Sequence, residues 1–296
     1  MDLPRQLGAY RLVRRLGHGG MAEVFLAVAH GASGFEKPVA LKVLLPELQG
    51  DGEYERILVD EARRAAGFHH RNLVGVHDLG AASGVYFVRM DWVDGADLAA
   101  VLARGTLPAG LALLVAEELA HALAYLHGAT DASGRALGLV HRDVSPANVL
   151  LSRAGDVKLG DFGIAKATLL ADVTRGGVRK GKYAYMSPEQ VTGAALTSAS
   201  DQFALGITLH EMLTGRRPYD ADSALETMER VRACAPPDVS ALDLDVAAIV
   251  SRCLARAPRD RFVDMEALGR TLATARRTRP PASYEDLGRL VRERAA

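Results

Sequence analysis

Apolar and polar residues alternate in two stretches near the start of the chain, 10–17 and 22–30. Successive side chains of a strand point to opposite faces, so this period of two predicts two half-buried β-strands. A third alternating run, 39–44, predicts another strand with Ala40 and Lys42 on one face and apolar residues on the other. A lysine in the middle of such a strand is costly to bury unless it has an acidic partner.

A helical period follows over residues 53–66. Its apolar residues form one stripe, composed of Tyr54, Ile57, Leu58 and Ala65. Glu61 falls in the gap of that stripe, whereas Asp60 points about 100° away around the helix. We therefore predict that Glu61 faces inward and pairs with Lys42.

Two further strands are predicted at 74–79 and 85–90, joined by residues 81–84. The second strand runs into the segment 91–95, after which the apolar period becomes helical. The helical pattern predicts helices over residues 111–127, 199–214, 243–256, 264–277 and 284–294. The polar insert 131–135 is predicted as an exposed loop.

The last predicted helix begins after a break at Pro280 and Pro281. Ser283 is placed to cap its first turn, because a serine hydroxyl can accept from a backbone N–H there. Its apolar residues lie on one face and are Leu287, Leu290 and Val291. This helix either packs on the domain, which we favour, or binds a partner.

Composition and charge narrow the classes of function. The 296 residues are 49% hydrophobic and 24% charged, which is ordinary for a globular protein with an ample core. The formal net charge is +0, so no overall basic field favours nucleic acid or anionic lipid. Cys234 and Cys253 lack metal-ligand spacing, and we expect buried free thiols in a reducing compartment.

No targeting or membrane segment is apparent from the apolar pattern. The N-terminus is polar, and the longest apolar stretch, 111–126, is interrupted by Glu117, Glu118 and His121. We therefore expect neither a signal peptide nor a membrane span, and a cytoplasmic location. Because no sensor segment is recognisable either, we expect a regulatory signal to arrive through a protein partner.

Two polar motifs in the middle of the chain carry the candidate chemistry. The first, HRDVSPANV, lies between the apolar runs 137–140 and 149–151, which we expect to be short strands. It places Asp143 and Asn148 five positions apart, and Asp161-Phe162-Gly163 follows another apolar run. Carboxylate and amide side chains at strand ends can hold a proton and a hard cation.

The glycine-rich segment between the first two strands adds a phosphate-binding candidate. Gly17 and Gly19 fit the pattern G-x-G-x-x-G-x-V, Ala22 stands where the third glycine belongs, and Val24 follows. Glycines without a Cβ let backbone N–H groups approach phosphates closely. By itself the segment is equally compatible with a plain hairpin turn, although its position between strands excludes a Rossmann turn.

Together these motifs resemble the bacterial eukaryotic-like (Hanks-type) serine/threonine protein kinases over about residues 10–276. The matching segments, in order, are LGHGGMAEVFLA, VALKVL, Glu61, HRDVSPANVLL, DFGIAK, MSPEQ, SDQFALG and RDRF. The resemblance implies an α+β, two-lobed protein kinase fold. It implies a small β-rich N-lobe with one key helix at 1–91, a larger and mainly helical C-lobe at 92–277, and a tail with a short helix at 278–296.

The resemblance also implies ATP with Mg²⁺ (or Mn²⁺), and transfer of the γ-phosphoryl group to hydroxyls of protein substrates. Asp143 would accept or orient the hydroxyl proton, Asn148 and Asp161 would hold the metal, and Lys42 would bind the α- and β-phosphates. Nucleotide-binding positions carried over in this way are Leu16, Gly17, Gly19, Gly20, Val24, Ala40, Lys42, Glu61, Met90, Asp91, Val93 and Leu150. Met90 would guard a rear pocket, and backbone groups of Asp91 and Val93 would face adenine.

Regulatory and structural roles follow from the same resemblance. Arg142 before Asp143 implies regulation by a phosphorylated activation loop, for which Thr174 is the first candidate and Thr168 the next. Within the larger lobe, Glu189 is expected to pair with Arg261. Asp201 is expected to brace the backbone of the catalytic loop.

Two positions depart from the pattern of the family. Ser145 stands where serine/threonine kinases usually carry lysine, and Lys182 follows Gly181 where they usually carry threonine. We hypothesise that Lys182 delivers its ammonium to Asp143 and the γ-phosphate, with Ser145 as a hydroxyl partner. The alternative is a Lys182 that faces solvent or contacts substrate. The exchange weakens the serine/threonine assignment, although Pro146 favours it over tyrosine kinases.

Two other functions compete with an active protein kinase. A pseudokinase scaffold would bind nucleotide with little or no transfer, but the expected losses are absent at Lys42, Glu61, Asp143, Asn148 and Asp161. A small-molecule phosphotransferase of similar fold usually carries H-G-D in place of HRD and lacks the segment YMSPE, which is present here at 185–189.

Overall fold

The structure is a computed structural model that describes residues 3, 5–161 and 181–295. These residues fall into two compact units. The first unit holds the described residues up to His70 together with 74–92, and the second holds 71–73, 93–161 and 181–295. The phosphosite candidates Thr168 and Thr174, and the motif residues Phe162 and Gly163, lie outside the described residues.

An antiparallel sheet forms most of the first unit. Its strands are β1 (Arg5–Leu7), β2 (Tyr10–His18), β3 (Ala22–His30), β4 (Glu36–Leu44), β5 (Val76–Ala82) and β6 (Val85–Met90). Among the described residues they lie in the order β1-β2-β3-β4-β6-β5. One face is a hydrophobic core of buried residues that includes Leu12, Phe25, Leu41, Val43 and Phe87. The strands predicted at 10–17, 22–30 and 39–44 are thus confirmed. β3 and β4 bury the side chains that face the core, whereas in β2 Leu12 is buried but Leu16 is 38% exposed.

The hairpin between β5 and β6 differs from its prediction. β5 begins at Val76 and not at 74, and it continues through Ala82. The link is the pair Ser83-Gly84, whose φ values are 52° and 79°. Two positive φ values match the twist of a tight two-residue hairpin, so the strands pair up to the turn itself. The predicted four-residue link was therefore wrong.

Among the described residues, the first unit has one α-helix, α1 (Gly52–Ala65). Asp51 caps it, since its carboxylate accepts from the backbone N–H of Glu53. The helix packs on β5 and β6 through a stripe that includes Leu58, Ala62 and Ala65, all of them buried. The predicted bounds of 53–66 are confirmed to within one residue.

The second unit is mainly helical. In the described residues its α-helices are α2 (Leu98–Leu102), α3 (Ala109–His127), α4 (Pro188–Thr192), α5 (Ser198–Thr214), α6 (Ala224–Ala233), α7 (Leu244–Cys253), α8 (Met265–Arg277) and α9 (Tyr284–Arg294). A small sheet of β7 (Gly95–Asp97), β8 (Val149–Ser152) and β9 (Val157–Leu159) completes it. α3 packs against α8 and α5, and α5 also packs against α7.

Most predicted helices of this unit are confirmed, with two corrections to its elements. The helix predicted over 243–256 ends at Cys253, because Leu254 leaves the helical conformation and Pro258 soon follows. The apolar run 137–140 forms no strand, and Gly138 within it has a φ of 58°. The insert 131–135 is a polar turn closed by hydrogen bonds between Asp131 and Arg135, as expected for a loop.

α3 meets the length and composition of a membrane-crossing helix in spite of Glu117 and Glu118, contrary to the expectation from those interruptions. Within the described residues it is the one helix that does so, and 67% of its apolar window is buried inside the structure. Both cysteines are buried free thiols, as predicted, and burial raises the pKa of Cys253 to about 12.

α9 packs on the second unit, as the favoured alternative predicted. Ser283 caps it in a capping box with Asp286, and Leu287 and Val291 are fully buried. The Tyr284 hydroxyl donates to Glu118 Oε1 at 2.8 Å. This hydrogen bond ties the start of α9 to α3.

Candidate active site

In the first unit, Lys42 and Glu61 form an ion pair. Lys42 lies in the middle of β4, and its Nζ donates to Glu61 Oε1 at 2.7 Å. The two side chains are only 11% and 14% exposed. A lysine held this way has a fixed direction, so it can bind an anion without reorganising. The pairing predicted from helix geometry is confirmed.

The sheet brings four of the predicted nucleotide-binding positions next to each other. Val24 of β3 lies opposite Lys42 of β4, and Ala40 of β4 lies opposite Met90 of β6. Because residues two apart share a face of a strand, Ala40 and Lys42 point to the same side. That side carries the lysine ammonium, whereas the other side carries the core.

The glycine-rich turn closes the hairpin between β2 and β3. The backbone N–H of Gly19 donates to the carbonyl of Ala22 at 2.8 Å, and a Cβ on Gly19 would stand 3.1 Å from that oxygen. Beside the turn, Glu23 accepts from Arg15 at 2.8 Å and contacts the His18 ring at 3.4 Å. The hydrogen bond from Arg15 holds the pKa of Glu23 below its ordinary value, in spite of opposing burial.

Asp91, at the end of the first unit, has a side-chain role that the sequence did not indicate. Its carboxylate accepts from the backbone N–H of Gly75 at 3.1 Å and contacts His77 Nε2 at 2.7 Å. Its own backbone N–H donates to the Gly75 carbonyl at 2.9 Å. These contacts hold Asp91 against the start of β5 through both its backbone and its side chain.

In the second unit, Asp201 of α5 fixes the backbone of the segment HRD. Its two carboxylate oxygens accept from the backbone N–H groups of His141 and Arg142, both at 2.8 Å. Nε2 of His127, at the end of α3, lies 2.8 Å from the same carboxylate. Arg142 needs this support, because its φ of 67° is rare for a residue with a side chain. The bracing role predicted for Asp201 is confirmed.

His141 links this segment to the one that ends at Asp161. Its Nδ1 accepts from the backbone N–H of Asp143 at 3.3 Å, so the proton of the neutral ring belongs on Nε2. Nε2 then donates to the carbonyl of Gly160 at 3.2 Å. The backbone N–H of Gly160 in turn donates to the carbonyl of Asn148 at 2.8 Å. These bonds place Asp143, Asn148 and the residue before Asp161 in one network.

Asn148 orients the buried carboxylate of Asp143. Its Nδ2 donates to the backbone carbonyl of Asp143 and to its Oδ2, both at 2.7 Å. Asp143 itself is only 6% exposed. Since the amide nitrogen is used twice, the amide oxygen of Asn148 is the atom left to bind a cation.

The oxygen donors present suit Mg²⁺, which prefers a few carboxylate and carbonyl ligands and shares substrate phosphates. Asn148 offers its amide oxygen, and Asp161 is exposed with a φ of 49°. In the described part of the chain, no group of three or more His, Cys, Asp or Glu side chains could hold a metal by itself. Leu150 lies within β8, opposite Asp97 of β7, and Val93 lies just before β7; both side chains are half-buried.

Lys182 meets Asp143, as the sequence hypothesis requires. Its Nζ lies 2.8 Å from Oδ2 of Asp143, and the two side chains are 27% and 5% exposed. Lys182 therefore does not simply face solvent. Ser145, close to Asp143 in the sequence, is buried, and its role as a hydroxyl partner stays a prediction.

The segment that carries Lys182 is anchored by residues that sequence reasoning missed. Arg217 donates to the Gly181 carbonyl at 3.2 Å and lies over the ring of Tyr185. The Tyr185 hydroxyl donates to Glu211 at 2.5 Å. Burial raises the pKa of Tyr185 and that of Glu211, so the tyrosine keeps its proton.

Gln190 is another missed residue, and a sequence signal could have found it. Its side chain closes a capping box with Ser187 at the start of α4. Its Nε2 also donates to the carbonyl of Arg142 at 3.0 Å. The spacing S-x-x-Q of a capping box is visible at 187–190, but the contact with Arg142 depends on the fold.

Glu189 and Arg261 form the predicted buried pair. Arg261 Nη1 and Nη2 donate to the two carboxylate oxygens at 2.7 and 3.0 Å. Ser200 donates to the same carboxylate at 2.8 Å. Burial opposes ionisation, but the Arg261 hydrogen bond and charge outweigh it and lower the pKa of Glu189.

Comparison with known proteins shows to which family the chain is similar. Residues 10–272 match the protein kinase domain family. The chain is 40% identical over 283 residues to the tyrosine-protein kinase MasK of Myxococcus xanthus, covering 93% of this chain and 44% of that protein. It is 35% identical over 281 residues to the serine/threonine-protein kinase PknA of Mycobacterium tuberculosis, covering 93% and 63% respectively. The chain spans about half the length of the curated relatives it matches.

Solved structures agree with the fold expectation. The PknI kinase domain of Mycobacterium tuberculosis is 31% identical, covers 94% of this chain and 100% of that chain, and aligns with a TM-score of 0.67. The sheet-rich first unit and the helical second unit have the make-up of the two lobes that the α+β class implied. Because the family match covers most of the chain and the relatives exceed 30% identity, this chain belongs to the protein kinase domain family.

Proposed function

We propose that this chain is an active ATP-dependent protein kinase that transfers the γ-phosphoryl group to serine or threonine hydroxyls of proteins. The observation that carries the proposal is the geometry of Asp143, a buried carboxylate held by Asn148 on a backbone that Asp201 fixes. A base oriented in this way can accept a hydroxyl proton without first reorganising.

The proposed step makes one bond and breaks one. The acceptor hydroxyl oxygen bonds to the γ-phosphorus, the bond from that phosphorus to the β–γ bridging oxygen breaks, and ADP leaves. The hydroxyl proton passes to the Asp143 carboxylate. Lys42, held by Glu61, binds the α- and β-phosphates, so their charge is balanced where the leaving group forms.

We propose nucleotide-binding roles in each unit. In the first unit the residues are Leu16, Gly17, Gly19, Gly20, Val24, Ala40, Met90 and Asp91, and in the second unit they are Val93 and Leu150. The register of β3, β4 and β6 supports the first group, because it places Val24, Ala40 and Met90 close to Lys42. The carbonyl of Asp91 supports an adenine contact, since its N–H is already bonded to Gly75.

Asn148 and Asp161 are the proposed metal ligands. A bound Mg²⁺ or Mn²⁺ would neutralise charge on the phosphates. The amide oxygen of Asn148 is available for this, because both hydrogen bonds of its side chain use the nitrogen. The scarcity of other donors fits an ion shared with the nucleotide.

Autophosphorylation within residues 162–180 is part of the proposal, with Thr174 as the first candidate acceptor. The support lies in Arg142, whose buried Nε has no hydrogen-bond partner among the described residues. A guanidinium with an unused N–H donor can bind a phosphate, whose oxygens accept hydrogen bonds from its planar donor groups.

The class of acceptor hydroxyl follows from relatives and from one residue. PknA and the PrkC protein of Bacillus subtilis are named serine/threonine-protein kinases, and Pro146 fits that class. MasK is named a tyrosine-protein kinase, so the acceptor must be identified directly. Phosphoamino-acid analysis of the product distinguishes the two, and phosphotyrosine as the main product would contradict the serine/threonine assignment.

The test compares the purified chain with an Asp143→Asn variant in the presence of Mg²⁺ and ATP labelled in the γ-phosphate. We expect labelled protein from the unchanged chain and a loss of at least about 100-fold in the variant, with nucleotide binding retained. Asp222→Asn, at an exposed position, is the matched control. A chain that binds nucleotide but transfers no phosphate would be a pseudokinase, and the proposal would be wrong.

A further inference from the structure

The ion pair between Lys182 and Asp143 joins two segments that are distant in the sequence. Nζ of Lys182 and Nδ2 of Asn148 both approach the same atom, Oδ2 of Asp143, at 2.8 and 2.7 Å. Two donors on one oxygen fix the plane of the carboxylate and compensate its charge at that atom. The pair is 5% exposed on the Asp143 side, so water screens the interaction only weakly.

The backbone that carries Lys182 is held from both sides. Gly181 before it accepts from Arg217, and a Cβ at that glycine would stand 2.9 Å from the guanidinium. After it, Tyr183 and Ala184 are buried in the turn that Lys182 begins. Lys182 is thus a placed cation, unlike an exposed surface lysine that samples many conformations.

The motif HRDVSPANV, residues 141–149, does not itself supply a lysine beside Asp143. Ser145, two positions after Asp143, is buried, and its side chain is a neutral hydroxyl that brings no positive charge to the carboxylate. The backbone of Arg142 is held on both sides: its N–H donates to Asp201, and its carbonyl accepts from Gln190. Lys182, from a different segment, does place a cation at the Asp143 carboxylate.

We propose that Lys182 is the positioning residue of phosphoryl transfer in this chain, and that it takes over the task of the missing lysine at position 145. This inference rests on the proposed function. While the acceptor oxygen bonds to phosphorus and its proton moves to Asp143, the Lys182 ammonium keeps its own proton. The ammonium keeps the Asp143 carboxylate oriented and places positive charge beside the oxygens of the transferring phosphoryl group.

The same lysine belongs to the segment 181–187, which is anchored to α5 through Tyr185 and Glu211. A shift of that segment would therefore move the cation away from Asp143. The position of the segment 181–187 and the orientation of the Asp143 carboxylate are therefore coupled through the Lys182 side chain. In a chain with lysine at position 145 the cation would travel with the base and would be independent of this segment.

The experiment exchanges the two positions. Lys182→Thr removes the cation, Ser145→Lys/Lys182→Thr restores it from the other side, and Lys182→Arg keeps the charge. We expect Lys182→Thr to lower kcat by about 10- to 100-fold with the KM for ATP nearly unchanged, because the charge acts mainly in the transition state. The double variant should recover at least about 10-fold of that loss, and Lys182→Arg should retain most of the rate.

Two measurements keep a folding defect apart from a lost role. Thermal unfolding with and without Mg²⁺ and ADP should show the same nucleotide-induced shift in Lys182→Thr as in the unchanged chain. Lys37→Thr, at an exposed position of β4, is the control for removal of a lysine. Equal kcat in Lys182→Thr, or a raised KM for the protein acceptor alone, would overturn the inference. Failure of the double variant to recover would overturn it as well.

The outcomes also separate this inference from the function on which it rests. Transfer by the unchanged chain that is lost in Asp143→Asn but kept in Lys182→Thr leaves the kinase assignment intact and contradicts the role of Lys182. Absence of transfer by the unchanged chain contradicts both.

Discussion

Lys42 on β4 and Glu61 on α1 are joined by a 2.7 Å hydrogen bond within the first unit. The contact fixes a strand to a helix, and both side chains are almost buried. Removing either charge leaves the other in a poorly hydrated place. The pair therefore orders the unit, and it fixes the cation that we propose binds phosphate.

Lys42→Met should abolish most phosphoryl transfer. We expect a loss of about 100-fold or more in kcat/KM, because this removes the cation that we propose binds the α- and β-phosphates. Initial rates with labelled ATP measure the effect. Lys37→Met, on the same strand but exposed, should leave the rate unchanged. A similar loss in both variants would show that the effect does not come from the Lys42 charge.

Asp201→Asn should damage the catalytic segment without touching Asp143. The new amide presents donors to the backbone N–H groups of His141 and Arg142, so at least one of them loses its acceptor. We expect about 1–3 kcal/mol less stability in urea unfolding, which is the cost of an unpaired buried donor. We also expect a lower kcat. Asp222→Asn serves as the exposed control, and unchanged stability in Asp201→Asn would contradict the bracing role.

The pair of Glu189 and Arg261 should make stability depend on pH. The pKa of Glu189 lies below its ordinary value of 4.5, so the folded state binds this proton less readily than the unfolded state. The pair's contribution is therefore present above that value and is lost as the pH falls through the lowered folded pKa. Urea unfolding in a pH series should show this loss, and Glu189→Gln should flatten it.

Arg261→Met should give the opposite dependence of stability on pH, because the Glu189 carboxyl loses its cationic partner. Without the guanidinium, Glu189 is left buried and unpaired, and we expect a loss of about 3–5 kcal/mol at neutral pH. Protonation then relieves the penalty, so the gap to the unchanged chain should narrow as the pH is lowered towards about 4. Arg259→Met, at an exposed position nearby, is the control. A gap that stays constant with pH would contradict the account of the pair.

Gly288→Ala should destabilise the chain although alanine favours helices. A Cβ at Gly288 in α9 would stand 2.6 Å from the carbonyl oxygen of Arg153. We expect a loss of about 1–3 kcal/mol from this overpacking. Gly269→Ala in α8 is the matched control, because its Cβ would make an ordinary contact of 3.6 Å with Ala120. That change should gain about 0.5–1 kcal/mol from helix propensity. Equal effects in urea unfolding would show that α9 is not docked as described.

Local patterns were sufficient for most elements of the fold. The period of two located β2, β3 and β4, and the helical period located α1, α3, α5, α8 and α9. These segments are long and bury one face, so the side chains record the geometry directly. The ends of elements were harder, because the limits of β5 and α7 depend on a tight turn at Ser83-Gly84 and on residues after Cys253.

Pairings over long sequence distances were predictable only where a pattern limited the choice. Glu61 could be chosen as the partner of Lys42, since one glutamate alone lay in the gap of the apolar stripe. Gln190 and Arg142, or Arg217 and Gly181, carry no such restriction. A side chain that bonds a remote carbonyl can be recognised only after the fold has brought the two together.

The sequence by itself determined most of the elements and the family, and it singled out Asp143 as the candidate base, because these depend on local periods and on motif spacing. Tertiary structure decided where the cations point. Lys182 reaches Asp143 because a turn anchored by Arg217 and Tyr185 holds it there. Charge pairs act over a few ångströms, and that distance is set by packing rather than by the order of residues.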